Sequence, residues 1–253
     1  DGRGILAMLN QLSAHGVDVC WGIHVYAGLE SGKICVSAGP RMAGAAGVGI
    51  KVIGRGGHGS RPDMSVNPVF CAASILTNTA TAWVNQITAG RTVTLGVTSI
   101  QGGEAPNVIP DTADILGSLR FFNDEEGEKA VRIFKNVAEH TAAMNNCQVQ
   151  FDDRFCVLCA PVINDEYYSN LISTALPEVL PENVTVSSCE PWYASESFSC
   201  YRRICPSVLA HLGINNPSYG SGAAHHNGFF DVDEGVLSTG VISTLKFVAM
   251  LQK

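Results

Sequence analysis

Apolar and polar positions follow two rhythms along this chain, and the switches between them mark its elements. Ile5, Met8, Leu9 and Leu12 recur at helical spacing from the very start. Val17 to Val25 reads as a buried strand ending in Gly22-Ile23-His24-Val25, and the turn-rich stretch Gly28 to Gly47 holds a short strand at Ile34-Cys35-Val36. Val48 to Ile53 then alternates with period two, the mark of a strand with one buried face. Asn67-Pro68 opens a helix to about Ile87, with proline near the first turn, where its missing N–H breaks no bond. Thr92 to Ile100 alternates again through Val93, Leu95 and Val97, and Ala113 to Phe122 follows the Pro110-Asp111 turn. Asp124-Glu125-Glu126 sets three carboxylates at the positive end of a helix running to about Met144. Gln148 to Phe155 closes this series as a fourth strand.

The order β-α-β-β-α-β is the split, ferredoxin-like arrangement. It predicts a self-contained domain over residues 46–156, with two helices on one face of a four-stranded antiparallel sheet. A free edge strand or open face would then be available to a second copy. The flanking residues 1–45 and 157–253 should form one discontinuous domain, also mixed α/β. In its second half a helix is expected from Asp165 to Leu180, another starting at Glu196, a strand at Ser207–Gly213 and a terminal helix from Val232.

Composition narrows the function. A net charge of −7 argues against a nucleic-acid partner, which requires clustered cations. No uninterrupted apolar run approaches the roughly 20 residues of a membrane span, and none has the form of a signal peptide. The nine cysteines are scattered, mostly in apolar patterns, as reduced thiols of a cytoplasmic protein are. Cys156-Val-Leu-Cys159 has redox or zinc spacing but lacks a second pair nearby, so a structural role is expected. The chain starts without Met on the first turn of a helix, which reads as a fragment of something longer.

Candidate chemistry sits where glycine meets histidine. Gly54-Arg-Gly-Gly-His-Gly-Ser-Arg-Pro-Asp63 holds His58 in a backbone that permits close approach to a ligand, although a polar loop that happens to contain histidine has the same composition. His24 ends a strand, where α/β sheets place their ligands and where satisfied structural histidines also sit. His225-His226 lies in the Gly-rich segment after Gly220, and with Glu196 these side chains have donor types suited to zinc or manganese. No HxxxH or CxxC spacing fixes such a site. His15, His140 and His211 have helix or strand contexts and read as structural.

Six stretches in order carry a resemblance. They are Gly22-Ile-His-Val, the His58 loop, Gly102-Gly-Glu-Ala-Pro-Asn-Val-Ile-Pro-Asp111, Gly117-Ser-Leu-Arg120, Ser195-Glu-Ser-Phe198 and His226-Asn-Gly-Phe-Phe-Asp231. With them the chain resembles the dinuclear metal amidohydrolases of the aminoacylase, hippurate hydrolase and indole-acetyl-amino-acid hydrolase group, within the superfamily of metal-dependent carboxypeptidases. The resemblance implies a metallopeptidase-type α/β catalytic domain carrying an inserted lid and dimerisation domain. It implies metal ligation by His24 and His226, and a place beside the metals for Glu196. His58, Asn107 and Arg120 would be substrate-facing residues of the inserted domain, often supplied by the partner subunit. His58 would stabilise an oxyanion, and Arg120 would hold the substrate carboxylate through two hydrogen bonds. Ser197 and Ser195 replace an acid and a glycine of the family pattern around Glu196.

The reaction so implied is hydrolysis of N-acyl amino acids or small peptide-like amides with two divalent cations, zinc or manganese, in a homodimer. The family's remaining metal ligands and its general base would fall ahead of Asp1, so the chain alone is expected to bind metal weakly, or not at all, and to be inactive. The alternatives are a non-catalytic dimerising module and a small-molecule-binding homologue.

Overall fold

The computed structural model describes residues 3–153, 155 and 157–252. Along the chain run α1 (Arg3–Ala14), β1 (Cys20–Glu30), β2 (Ile34–Cys35), β3 (Gly39–Met42), β4 (Gly44–Ile53), β5 (Gly57–His58), α2 (Pro68–Gln86), β6 (Val93–Gln101), β7 (Val108–Ile109) and β8 (Thr112–Phe121). They are followed by α3 (Asp124–Met144), β9 (Gln148–Phe151), β10 (Val157–Cys159), β11 (Val162–Asn164), α4 (Glu166–Ala175), β12 (Thr185–Val186), β13 (Ser207–Asn215) and α5 (Leu237–Leu251). Three helix starts are capped as their sequences dictate. Asn67, Asn123 and Asp165 accept from the backbone N–H of Val69, Glu126 and Tyr168, each satisfying a donor the first turn leaves free.

The chain separates into two compact units. The first is Ala43–Pro161 with Tyr193–Ser195, and the second holds the residues up to Met42, Val162–Trp192 and the chain from Glu196 onward. The inner unit thus reaches a few residues beyond the expected 46–156 on both sides.

In the inner unit an antiparallel sheet runs β10-β4-β8-β6, with β9 also paired to β4. Alternation decides its faces. Val48, Ile50 and Val52 point the same way as Ala113, Ile115, Leu119 and Phe121, and onto them pack Cys71, Ala72 and Ile75 of α2 with Ala130, Phe134 and Ala138 of α3. Burying each of the larger side chains contributes about 2 kcal/mol. Five strands replace the expected four. The run Gln148–Phe155 does not continue as one strand: beyond Phe151 a turn closes, Asp152 N–H donating to Gly49 O and Phe155 N–H to Asp152 O. Phe155 stacks on Phe151 and Phe134, at 4.7 and 5.8 Å between centroids, and so draws the chain off the sheet before β10 resumes pairing with β4. Cys156 lies outside the described residues, and Cys159 is a free, half-buried thiol.

In the outer unit the sheet order is β1-β13-β2-β12, with β1 parallel and β2 antiparallel to β13. Its two faces differ in chemistry. Trp21 and Ile23, Val208 and Ala210, and Ile34 and Val36 join the core that also holds Ile172 and Leu176 and Phe247 of α5, with Trp21 stacked 4.7 Å from Phe247. The intervening positions put His24, His211 and Cys35 in one row across three strands on the opposite face. Strand β1 runs farther than the expected Val17–Val25, because its pairing with β13 carries it through Tyr26 and, past a register shift, to Glu30.

One helical segment, Glu234–Leu251, has the length and hydropathy (18 residues, mean hydropathy 1.3) to cross a membrane, a feature the apolar-run count does not bring out. Its Gly240, Ser243 and Phe247 are buried, as in a helix packed on a sheet.

Candidate metal and substrate site

On the face of the outer sheet opposite its apolar core, His24 is held by its own strand. Its Nδ1 lies 2.7 Å from the Val25 carbonyl. A carbonyl only accepts, so Nδ1 carries a proton, and it is Nε2 that offers a lone pair in the neutral ring. That lone pair faces Glu196, with Nε2 4.0 Å from Oε2. Glu196 caps the 3-10 helix Ser197–Arg203, where its Oε1 accepts from Phe198 N–H and from Ser197 Oγ, both at 3.1 Å. Oε1 is thereby committed, and Oε2 is left toward His24. Gly22 explains the approach of this helix to β1: a Cβ there would meet the Phe198 ring at 2.8 Å.

Aromatic rings wall the pair. His24 has Trp192 at 5.2 Å and His225 at 5.5 Å, and His225 lies 4.3 Å from Trp192 and 4.9 Å from Phe230. His225 Nε2 accepts from Ala27 N–H at 3.4 Å. Burial, then the neighbouring His24 and His226, holds the His225 pKa below its ordinary value. His226 itself is exposed and in the left-handed region, at φ 63°. The histidine packed against His24 is thus the first of the pair, where the sequence pattern points to the second. Beside His24 in the strand ladder stands His211, fully buried and 4.9 Å from Tyr26. Burial and then the Arg41 charge bring its pKa down to about 3, so it is neutral. The sequence does not single out Trp192 or Tyr26, and His211 reads there as structural; the alternation of β1 and β13 is the signal that sets Tyr26 and His211 beside His24.

His24 Nε2 and Glu196 Oε2 fit two ligands of a divalent cation in type and direction. Among the described residues no group of three His, Cys, Asp or Glu side chains is arranged to hold one.

In the inner unit, β5 pairs with β7, setting His58 opposite Val108 and beside Asn107. Gly59 N–H donates to Asn107 O at 2.8 Å, and a Cβ on Gly59 would stand 3.2 Å from the Asn107 backbone. His58 Nδ1 accepts from Ser60 N–H at 3.2 Å, so the exposed Nε2 bears the proton and can donate. Arg120 is elsewhere. It sits near the far end of β8, between Ala45 and Thr94, and Nη1 spends one hydrogen on Leu119 O at 3.3 Å. The His58 loop joins the sheet at the near end of β8, through Gly54 N–H on Asp111 O. From Thr112 to Arg120 the strand covers about 26 Å at its usual rise. One copy of the chain brings His58 to Asn107 but not to Arg120.

Residues 42–145 match the peptidase dimerisation domain of the M20 family. The chain is 28% identical to thermostable carboxypeptidase 2 of Saccharolobus solfataricus over 95% of its own length and 60% of the relative's. It is 29% identical to N-acetylcysteine deacetylase of Bacillus subtilis (88% and 56%), and 26% identical to the IAA-amino acid hydrolase ILR1-like 4 of Arabidopsis thaliana (88% and 51%). In fold it follows the crystal structure of Bacillus subtilis YXEP, described as a dinuclear metal binding peptidase from the M20 family, with TM-score 0.76 and 24% identity over 96% of this chain and 60% of that one. The chain spans about half to six-tenths of the length of these relatives. Residues 42–145 thus match a peptidase dimerisation domain, and the chain is similar over most of its length to carboxypeptidases and IAA-amino acid hydrolases, and over part of it to an N-acyl-L-amino acid amidohydrolase.

Proposed function

We propose that the protein carrying this chain hydrolyses the amide bond of N-acyl amino acids or small peptide-like amides in a reducing, cytoplasmic setting, as a homodimer. Two divalent cations, zinc or manganese, would polarise the scissile carbonyl and acidify a water. His24 contributes Nε2 as a ligand, its tautomer set by the Val25 carbonyl, and Glu196 presents Oε2 beside it. His226 enters as a ligand by its place in the sequence pattern, with His225 as the histidine already packed against His24. His58 donates from Nε2 to the oxygen that gains charge, and Asn107 positions the same end of the substrate. Arg120 binds the carboxylate through its guanidinium fork. Among the described residues two ligands come together, so the chain alone should bind zinc or manganese weakly and turn over no substrate.

The separation of His58 and Asn107 from Arg120 along β8 carries this reading. One substrate is too short to touch both ends of that strand, so a second copy has to supply one of them. The unpaired edge of β6, with exposed Val97 and Ile100, supports pairing between copies.

The test is complementation in the complete gene product, assayed on N-acetyl amino acids with manganese or zinc. His58→Ala and Arg120→Ala should each lose about 100-fold or more in kcat/KM. Mixed and allowed to exchange, they should recover about a quarter of wild-type activity, since half the dimers then hold one intact site. Absence of recovery in verified heterodimers would exclude action across the dimer. Tight binding of an acyl amino acid without product would instead favour the non-catalytic reading.

A further inference from the structure

Three pairs of thiols lie side by side among the described residues. Cys20 and Cys205 have their sulfurs 3.4 Å apart, Cys71 neighbours Cys147, and Cys35 neighbours Cys189. The first two pairs act as small hydrophobes, buried except for the half-buried Cys20. Burial, with the neighbouring thiol, pushes Cys20 and Cys71 up to about 12.

The third pair is built around a charge. Arg41 is 6% exposed, and its Nη1 reaches Ser37 Oγ at 2.5 Å, the Cys189 carbonyl at 3.0 Å and the Cys189 sulfur at 3.7 Å. Its Nε has no partner, and no carboxylate of the described residues stands within salt-bridge distance of it. A buried guanidinium without a counter-ion is costly. Cys35 lies across the ladder from His211, with its sulfur 3.4 Å from Ser37 Oγ, while the Cys189 sulfur lies 3.6 Å from His211 Nδ1. The Cys189 thiol, Ser37 and Arg41 together stabilise a thiolate at Cys35, bringing it from 9.0 to about 6, and Cys189 is driven the other way. Arg41 thus has an anion in its own cluster, and that anion is a nucleophile that shares Ser37, Arg41 and His211 with a second thiol.

We propose that Cys35 and Cys189 are a peroxide-reactive pair that closes reversibly to a disulfide. The Cys35 thiolate attacks one oxygen of hydrogen peroxide, the O–O bond breaks, and the departing hydroxide takes the Cys189 proton to leave as water. The Cys189 thiolate left by that transfer then displaces hydroxide from the Cys35 sulfenic acid, and the hydroxide takes up from solvent the proton that Cys35 released on ionising, forming a second water. Two thiols are oxidised by two electrons, one peroxide is reduced, and a dithiol reductant reverses the change. Cys189 is half-buried and gives a small oxidant its approach, whereas Cys35 is fully covered. The site is separate from the proposed hydrolytic chemistry, although Cys189 lies three residues before Trp192 of the aromatic wall.

The experiment treats the purified protein at pH 7 with one equivalent of hydrogen peroxide, blocks remaining thiols under denaturing conditions and maps disulfides by peptide mass. The Cys35–Cys189 peptide should form first, with Cys20–Cys205 and Cys71–Cys147 still reduced. Cys189→Ser should leave a sulfenic acid on Cys35 that dimedone traps. Arg41→Met should slow oxidation of Cys35 roughly tenfold or more, and Arg41→Lys should restore much of the rate. If these variants fail to fold, the wild-type rate against pH decides. The charged and titratable groups around Cys35 are Cys189, Arg41 and His211, with Tyr26 and His24 behind His211. A midpoint near pH 6 supports the pair, while one near pH 9, or Cys20–Cys205 oxidising as fast, overturns it.

Discussion

The two units solve the problem of presenting a histidine in opposite ways. In the outer unit, His24 stands on the face of a sheet away from that unit's apolar core because strand alternation sends Trp21 and Ile23 to the helix side. In the inner unit, alternation sends the apolar residues of β4 and β8 to the helices, and His58 belongs to neither face. It is carried beyond the strand ends by a glycine loop stitched to Asp111, Val66 and Asn107 through backbone hydrogen bonds. Side-chain periodicity positions one histidine, and backbone geometry the other. The first should be sensitive to what packs under the sheet, the second to what replaces a glycine.

Core truncation should separate the units most strongly. Phe121→Ala empties the inner core and Phe247→Ala the outer one, each expected to cost about 3–5 kcal/mol. Calorimetry should show each change lowering one transition more than the other. Equal shifts of a single transition would mean that the units melt as one.

Acid should weaken the outer unit next. His211 is neutral in the fold, with its pKa lowered from 6.5 to about 3, so below pH 6.5 the unfolded chain binds a proton that the folded chain refuses. Its contribution is fully present above pH 6.5 and declines as the pH falls toward 3, on the order of 3 kcal/mol by pH 4 in metal-free protein. Urea melts of wild type and His211→Leu, compared at pH 7 and 4.5, should converge at the lower pH. A constant gap would put the effect elsewhere.

Glycine replacement probes the loop. A Cβ on Gly56 would stand 2.7 Å from the Ile109 carbonyl, an atom of the backbone with little room to give. Gly56→Ala should cost about 1–3 kcal/mol and displace His58 with its strand. The shift should appear in the His58 ring resonances, with those of His24 unchanged. Helix caps give the smallest effect and should not distinguish the units. Asn123→Ala in one and Asp165→Ala in the other should each cost about 1 kcal/mol by chemical denaturation.

Local signals made much of this legible in advance. Helix α3 begins at Asp124 and ends at Met144 because its cap, acidic first turn and apolar stripe lie within its own sequence. Pro68 marks the start of α2 equally well. Where the outcome depends on a distant partner, the sequence misleads. Strand β1 extends past Val25 because β13, some 190 residues later, pairs with it. The break between β9 and β10 depends on three phenylalanine rings meeting from α3 and the turn. For the site, glycine context and motif order singled out His24, His58 and Glu196. Neither could reveal that Val25 fixes the tautomer of His24, that His225 is the member of its pair packed inward, or that Arg120 stands a strand's length from His58.

The two-faced outer sheet also restricts how this gene can change in length. Inserting or deleting one codon between Cys20 and His24 would exchange the faces of the residues that follow, driving an imidazole among Ile172 and Phe247 and turning apolar side chains out. Changes of two codons preserve the parity of the strand and only slide it along β13. Length variation in descendants of this gene should therefore collect in turns such as Ser31–Lys33, and within β1 it should come in even steps.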